Sequence, residues 1–186
     1  MRIVAGTAKG RTLLGPKTDA VIRPTADRVR QTLFDVLGQW CDGLAVLDLY
    51  AGTGALGLEA VSRGAAHATL VDSGKEAQAL CRKNAEALGL SARVELLGVA
   101  AAPAMELLEQ RQKAFELVFV DPPYALQAGV PTLVTLEGRR LVVPAGRVVV
   151  EHARSEALPS AVGRFALEDE RRFGDTVVSI FRLTSP

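Results

Sequence analysis

Two stretches of this 186-residue chain hold residue types whose spacing suits chemistry on a nucleotide-like ligand. The first is Asp48-Leu49-Tyr50-Ala51-Gly52-Thr53-Gly54-Ala55-Leu56-Gly57. A glycine-rich turn directly after a strand lets the backbone approach a ligand closely, and the helix that follows offers unpaired N–H donors to an anionic group. The spacing of Gly52, Gly54 and Gly57, with Asp72 about twenty residues on, also satisfies the dinucleotide-loop pattern. Asp48 argues against a dinucleotide, because an acid at the strand tip repels a pyrophosphate but accepts hydrogen bonds from an ammonium. A ligand with both an α-amino and an α-carboxylate group suits Asp48, Ala51, Gly52 and Gly54 better, and S-adenosylmethionine is such a molecule. Asp72 is placed to take both ribose hydroxyls as a bidentate acceptor, the alternative being an N-cap for a helix beginning near Lys75. Glu59 reads as a solvated or structural carboxylate, not a catalytic one.

The second stretch is Asp121-Pro122-Pro123-Tyr124, directly after the apolar run Leu117-Val118-Phe119-Val120. Two consecutive prolines fix two φ angles and remove two N–H donors, so nearby carbonyls form a stiff acceptor wall at the strand's end. Asp121 and the Pro122 carbonyl suit the two hydrogens of an exocyclic NH₂, and Tyr124 offers a flat face to a planar ring. An aryl amine is a poor nucleophile because its lone pair is delocalised; gripping its hydrogens favours a pyramidal nitrogen that can attack an electrophilic methyl. Catalysis of that kind is positioning and electrostatics. The bland alternative is a turn that merely ends the strand.

Elements of the right kind surround both stretches. Leu44–Leu49, Ala68–Val71, Arg93–Leu97, Phe115–Val120 and Arg147–Glu151 read as strands, and helices are expected over 55–62, 75–88, 104–112 and 130–141. Strands alternating with such helices mean parallel βαβ units. Phe165–Arg172 and Thr176–Leu183, joined through Phe173-Gly174-Asp175 with no helix between them, should close the sheet as an antiparallel hairpin. Ahead of these, Arg2–Ala5 and Arg11–Leu14 suggest a small hairpin, and Thr25 is a good N-cap for a helix over 26–40. The expected organisation is a basic hairpin-and-helix extension over residues 1–40, then a cofactor-binding domain over 41–186.

Composition excludes several classes. At 48% hydrophobic and 23% charged residues, with a mean hydropathy of +0.18, the chain is too apolar for disorder and too often interrupted by charge for a membrane span. No apolar run reaches the roughly 18 residues of a membrane helix or forms a signal peptide's core, so a cytosolic location is expected. Cys41, Cys81, His67 and His152 fit neither a disulfide framework nor a zinc site; no metal and no attacking thiol are expected. Net charge is only +1, yet residues 1–31 carry +5 and the remainder −4. A basic end on a mildly acidic body is a candidate polyanion contact through Arg2, Lys9 and Arg11, a solvated basic segment being the alternative.

An Asp/Asn-Pro-Pro-Tyr/Phe run after the fourth strand, together with the glycine loop after the first, resembles the amino-methyltransferases of the Rossmann-like S-adenosylmethionine-dependent class. Arg2-Ile3-Val4-Ala5-Gly6, Lys9-Gly10-Arg11, Arg23-Pro24-Thr25-Ala26-Asp27-Arg28-Val29-Arg30-Gln31-Thr32-Leu33-Phe34, Gly52 to Ala60 and Phe119 to Tyr124 together resemble the RsmD-like family, nearly end to end. That resemblance implies a seven-stranded, mostly parallel sheet with a C-terminal antiparallel hairpin, and an N-terminal hairpin that touches RNA. The implied activity is methylation of the N2 amine of one guanine in 16S ribosomal RNA, naked or in an assembling 30S subunit. A DNA adenine-N6 or protein-glutamine methyltransferase would use the same acceptor wall, and a non-enzymatic nucleotide-binding module would use the glycine loop alone. Thr25 and Arg28 have two readings, contact with the methionine end of the cofactor or a capped helix with solvent-facing arginines. In one place the chain departs from the family: where an acid or amide usually meets the adenine amine, it reads Leu97-Gly98-Val99-Ala100. S-adenosylmethionine is still expected to bind.

Overall fold

Proline is well suited to a helix's first position, where its missing N–H has no partner to lose, and α1 (Pro24–Leu37) begins on one. Thr25 therefore falls inside the helix, not at its cap. The helix also stops before Trp40, which is 60% exposed instead of completing an apolar face. This computed structural model describes residues 1–16 and 24–185, without the side chains of 24–26 and 124. The chain divides into two units, Met1–Ala100 and Ala101–Pro186.

In the first unit α1 is followed by β1 (Ala45–Leu49), α2 (Ala55–Ser62), β2 (His67–Val71), α3 (Lys75–Leu88) and β3 (Val94–Leu97). β2 pairs in parallel with both β1 and β3, and Leu49, Val71 and Leu97 are partners in register. The tips of three strands are thus level, and the residues that follow them, Tyr50 to Gly52, Asp72 and Gly98, leave the sheet along one rim. The strands read as continuous apolar runs because both faces are covered: Val46, Leu47, Leu49, Ala68, Leu70 and Val71 are all buried. α3 ends where the sequence places a stop, at Gly89 in the left-handed region (φ 71°).

At the N-terminus the expected small hairpin is present but short: it closes on one antiparallel bridge, Arg2 with Thr12, flanked by bonds from the Ile3 N–H to the Arg11 carbonyl and from the Leu13 N–H to the Met1 carbonyl, both 2.9 Å. The ladder ends there because of where the next N–H groups point. Val4 and Ala5 donate to the Glu59 carboxylate at 2.8 and 2.9 Å, Thr7 to the Ser62 carbonyl and Ala8 to the Ser62 hydroxyl, so this stretch bonds to α2 and not along a ladder. Gly6 allows the approach: a Cβ there would stand 1.8 Å from the Ser62 carbonyl oxygen.

The second unit holds α4 (Ala101–Gln110), β4 (Phe115–Val120), α5 (Gly129–Gly138), β5 (Val142–Ala153), β6 (Ala161–Val162), β7 (Phe165–Phe173) and β8 (Thr176–Leu183). β4 and β5 are parallel; β8 is antiparallel to β5 and to β7, which form the closing hairpin the sequence predicts. β5 begins earlier than the apolar run Arg147–Glu151, since Val142 already pairs with Phe115 across a register shift. The described residues hold eight strands, one more than expected, because the two-residue β6 pairs with β7. His152 is a satisfied core residue whose Nε2 meets the Ser179 hydroxyl at 2.9 Å.

Candidate functional site

The three glycines of the loop do three different things. Gly52 (φ +57°) has nothing within 4 Å of where a Cβ would stand, which leaves open space beside its backbone. Gly54 (φ +79°) caps α2 in a conformation L side chains rarely adopt. Gly57 lets α2 lie against β2: a Cβ there would meet Leu70 Cδ2 at 2.3 Å. Among the described residues no side chain caps α2, and its first turn is edged by Ala51, Gly52 and Thr53. Asp72 fastens the loop to the next strand tip, accepting the Gly52 N–H on Oδ2 (2.9 Å) and the Gly74 N–H on Oδ1 (2.8 Å). Each oxygen keeps a second lone pair, which suits a pair of ribose hydroxyls. The N-cap of α3 is Gly74, so the capping alternative for Asp72 does not hold.

Asp48 is buried at the end of β1, where Oδ2 accepts the Gly57 N–H at 2.9 Å and Oδ1 has no protein donor among the described residues. Burial pushes its carboxyl from the usual 3.8 up to about 7, against the Gly57 N–H and with help from the Asp72 charge. The Cys81 thiol, pushed up to about 12 by burial, also faces it and does not titrate near neutrality. An acid with a raised folded pKa holds its proton longer in the native than in the unfolded chain, so the ligand-free protein loses stability as pH rises from about 4 through about 7. Between pH 5 and 8 the wild type should lose about 2–3 kcal/mol relative to Asp48→Asn, read from denaturant unfolding at each pH. Parallel pH profiles for the two proteins would contradict this. A cation bound against Asp48 would favour its charged form, which fits an ammonium ligand.

Sequence reasoning missed the residues that hold the loop from behind. On the buried face of α3, Cys81 donates its thiol to the Gly52 carbonyl at 3.3 Å. One turn on, Asn84 donates to the Thr53 carbonyl (2.9 Å) and exchanges two bonds with the Leu14 backbone. The signal available was their phase: both lie in register with the buried Ala85 and Leu88. Glu59, read from the sequence as either a solvated or a structural carboxylate, is the structural one, though its partners are not visible there. It is fully buried and binds Arg30 Nε (3.2 Å) and Arg63 Nε (2.8 Å) besides the Val4 and Ala5 N–H groups.

The basic N-terminal residues separate by what they touch. Arg11 caps the end of α3, donating to the Leu88 carbonyl at 3.1 Å and to the Ala87 carbonyl. Arg2 keeps an exposed side chain beside Asp27. Lys9 is exposed, and its ammonium has no partner among the described residues. Arg11→Ala should therefore cost about 1 kcal/mol of stability through the lost cap, whereas Lys9→Gln should leave the melting temperature unchanged. On an RNA ligand Lys9→Gln should reduce the slope of log K against log salt by about one. The same unfolding and titration experiments check both, and a wild-type salt slope for Lys9→Gln would remove Lys9 from the interface. Arg28 is exposed on α1, where its carbonyl accepts the Thr32 hydroxyl at 3.0 Å. The Thr25 side chain lies outside the described residues.

In the second unit, Asp121 follows Val120, the last buried residue of β4, and is itself half-buried. Pro122 is buried, Pro123 is exposed, and both peptide bonds are trans. The chain then turns through Tyr124–Leu126, with the Leu126 N–H on the Pro123 carbonyl at 2.9 Å. The Tyr124 side chain lies outside the described residues.

Level strand tips, an acid on the second strand that ties down the glycine loop, and an antiparallel closing hairpin mark the Rossmann-like fold of S-adenosylmethionine-dependent methyltransferases. In fold alone, the chain matches an RNA methyltransferase from Salinibacter ruber in complex with S-adenosyl-L-homocysteine at a TM-score of 0.63, over 86% of this chain and 92% of that one, with 16% identity. The chain belongs to the family described as Conserved hypothetical protein 95, which matches residues 1–182. It is 34% identical to the Ribosomal RNA small subunit methyltransferase D of Escherichia coli K12 over 182 residues, 98% of this chain and 89% of that protein. The solved structure of the Escherichia coli protein yhhF matches with a TM-score of 0.85 at 30% identity, over 100% of this chain and 99% of that one.

Proposed function

We propose that the chain transfers a methyl group from S-adenosylmethionine to the exocyclic N2 amine of a guanine in small-subunit ribosomal RNA, as 16S RNA or within an assembling 30S particle, in the cytoplasm. The observation that carries this reading is the Asp121-Pro122-Pro123 run after buried strand β4, in a chain that aligns almost end to end with a ribosomal RNA methyltransferase. When bound, S-adenosylmethionine supplies an electrophilic methyl carried on a sulfonium.

The residues divide the remaining work. Asp72, already fixed by two backbone N–H groups, offers its free lone pairs to the ribose hydroxyls. Asp48 faces the ammonium, and the backbone of Ala51, Gly52 and Gly54 cradles the carboxylate at the start of α2. Thr25 and Arg28 serve the methionine end. Asp121 and the Pro122 carbonyl grip the amine hydrogens while Tyr124 stacks on the base, which must leave its own stack to arrive there. Arg2 and Lys9 meet phosphates, and Arg11 holds the segment that carries them.

Labelled S-adenosylmethionine incubated with naked 16S RNA, small subunits and DNA tests the reading. Label is expected in one of the two RNA samples and absent from DNA. Label in DNA or in ribosomal protein would favour the adenine-N6 or glutamine alternative, and label nowhere would leave only a nucleotide-binding module.

A further inference from the structure

We infer that Gln78 reads the adenine amine of the cofactor, with Gly98 and Val99 as the surface on which the ring lies; this rests on the cofactor reading above. Gln78 stands in the first turns of α3, and its Nε2 donates to the main-chain carbonyls of Asp72 (3.2 Å) and Ser73 (3.3 Å). Those carbonyls fix which way round the amide sits, because an amide oxygen turned toward them would be repelled. The acceptor, Oε1, has no donor among the described residues.

The amide rests against the backbone at Gly98. A Cβ there would stand 2.7 Å from Oε1 and 3.2 Å from Nε2, so any side chain at 98 would push the amide away. Gln78, on α3, thus brings an amide to the rim at Gly98, where the sequence Leu97-Gly98-Val99-Ala100 itself carries no acid or amide. Val99, next along, is an apolar side chain left 39% exposed on the rim. The position also fits a purine joined to a ribose on Asp72. β2 and β3 are adjacent parallel strands with Val71 opposite Leu97, so Gly98 lies about one strand spacing, roughly 4.8 Å, from Asp72. An amine at the purine 6-position donates to Oε1. A 6-oxo purine would set a carbonyl against it, leaving two facing acceptors unpaired.

Isothermal calorimetry with S-adenosylhomocysteine and its 6-oxo analogue, S-inosylhomocysteine, tests this on the full chain. Wild type should prefer the adenosyl compound by on the order of tenfold to a hundredfold. In Gln78→Leu the preference should fall below about threefold, mainly through weaker binding of the adenosyl compound. Gly98→Ala, which leaves Gln78 in the sequence but displaces its amide, should act in the same direction. A Gln78 that only bridged the Asp72 and Ser73 carbonyls would change both affinities equally and leave the ratio alone. An unchanged ratio in both variants, or a wild type that binds both compounds equally, overturns the inference while the cofactor reading stands. Failure of wild type to bind the adenosyl compound at all overturns both.

Discussion

Asp121→Ala is expected to transfer methyl groups about a thousandfold more slowly than wild type while binding S-adenosylhomocysteine as well as before. A removed positioning acceptor is typically worth 10²- to 10³-fold, and in the proposed mechanism this one would also set where the nitrogen lone pair points. The rigidity behind that number is in the backbone. β4 is buried from Leu117 to Val120, and Pro122, buried and fixed in φ, follows at once, so Asp121 has no slack on either side. Asp121→Asn keeps a carbonyl acceptor but adds a donor facing the amine hydrogens, and should fall between the two. Single-turnover rates with saturating cofactor, alongside calorimetric affinities, check this. A loss in Asp121→Ala smaller than tenfold would remove Asp121 from the chemistry.

The second large effect is on stability. Glu59→Gln should lower the melting temperature by about 10 °C. Its carboxylate is the shared counter-charge of Arg30 and Arg63, which are 4% and 1% exposed, and breaking a buried ion pair typically costs about 3–5 kcal/mol. Arg63 has little in reserve. Its Nη2 is buried without a hydrogen-bond partner among the described residues, Nη1 holds the Gln39 carbonyl at 2.9 Å, and the guanidinium lies 4.5 Å from the centre of the Phe34 ring. Glu59 also receives the Val4 and Ala5 N–H groups, so its loss should loosen the basic N-terminal segment and weaken RNA binding without altering that segment's charge. Scanning calorimetry would contradict the account if the melting temperature fell by less than about 2 °C.

These two residues mark the boundary of what the sequence makes legible. The place of Asp121 at the end of buried β4 can be read because its neighbours are distinctive: an apolar strand and two prolines constrain the backbone whatever surrounds them. The same holds for the glycine loop, Asp72, the stop at Gly89 and the β7–β8 hairpin, all governed by local rules. Glu59 cannot be read that way. Nothing near it in sequence shows that Arg30 and the amides of Val4 and Ala5 converge on it across 29 to 55 residues. The N-terminal hairpin is legible in kind but not in length for the same reason, since Glu59 and Ser62 take N–H groups that strand propensity would assign to a longer ladder. Arg11 counts as a basic residue in the sequence, but only the fold turns it into a helix cap. Asp48 is intermediate: its place at a strand tip is visible, whereas its proton depends on a burial the sequence does not state.

The most direct test is to digest small-subunit RNA methylated by this chain with labelled S-adenosylmethionine and identify the labelled nucleoside by chromatography and mass spectrometry. The account predicts a single product, N2-methylguanosine. Label on a base carbon, a ribose oxygen or an adenine would contradict it, because none of these presents a guanine amine to Asp121 and the Pro122 carbonyl.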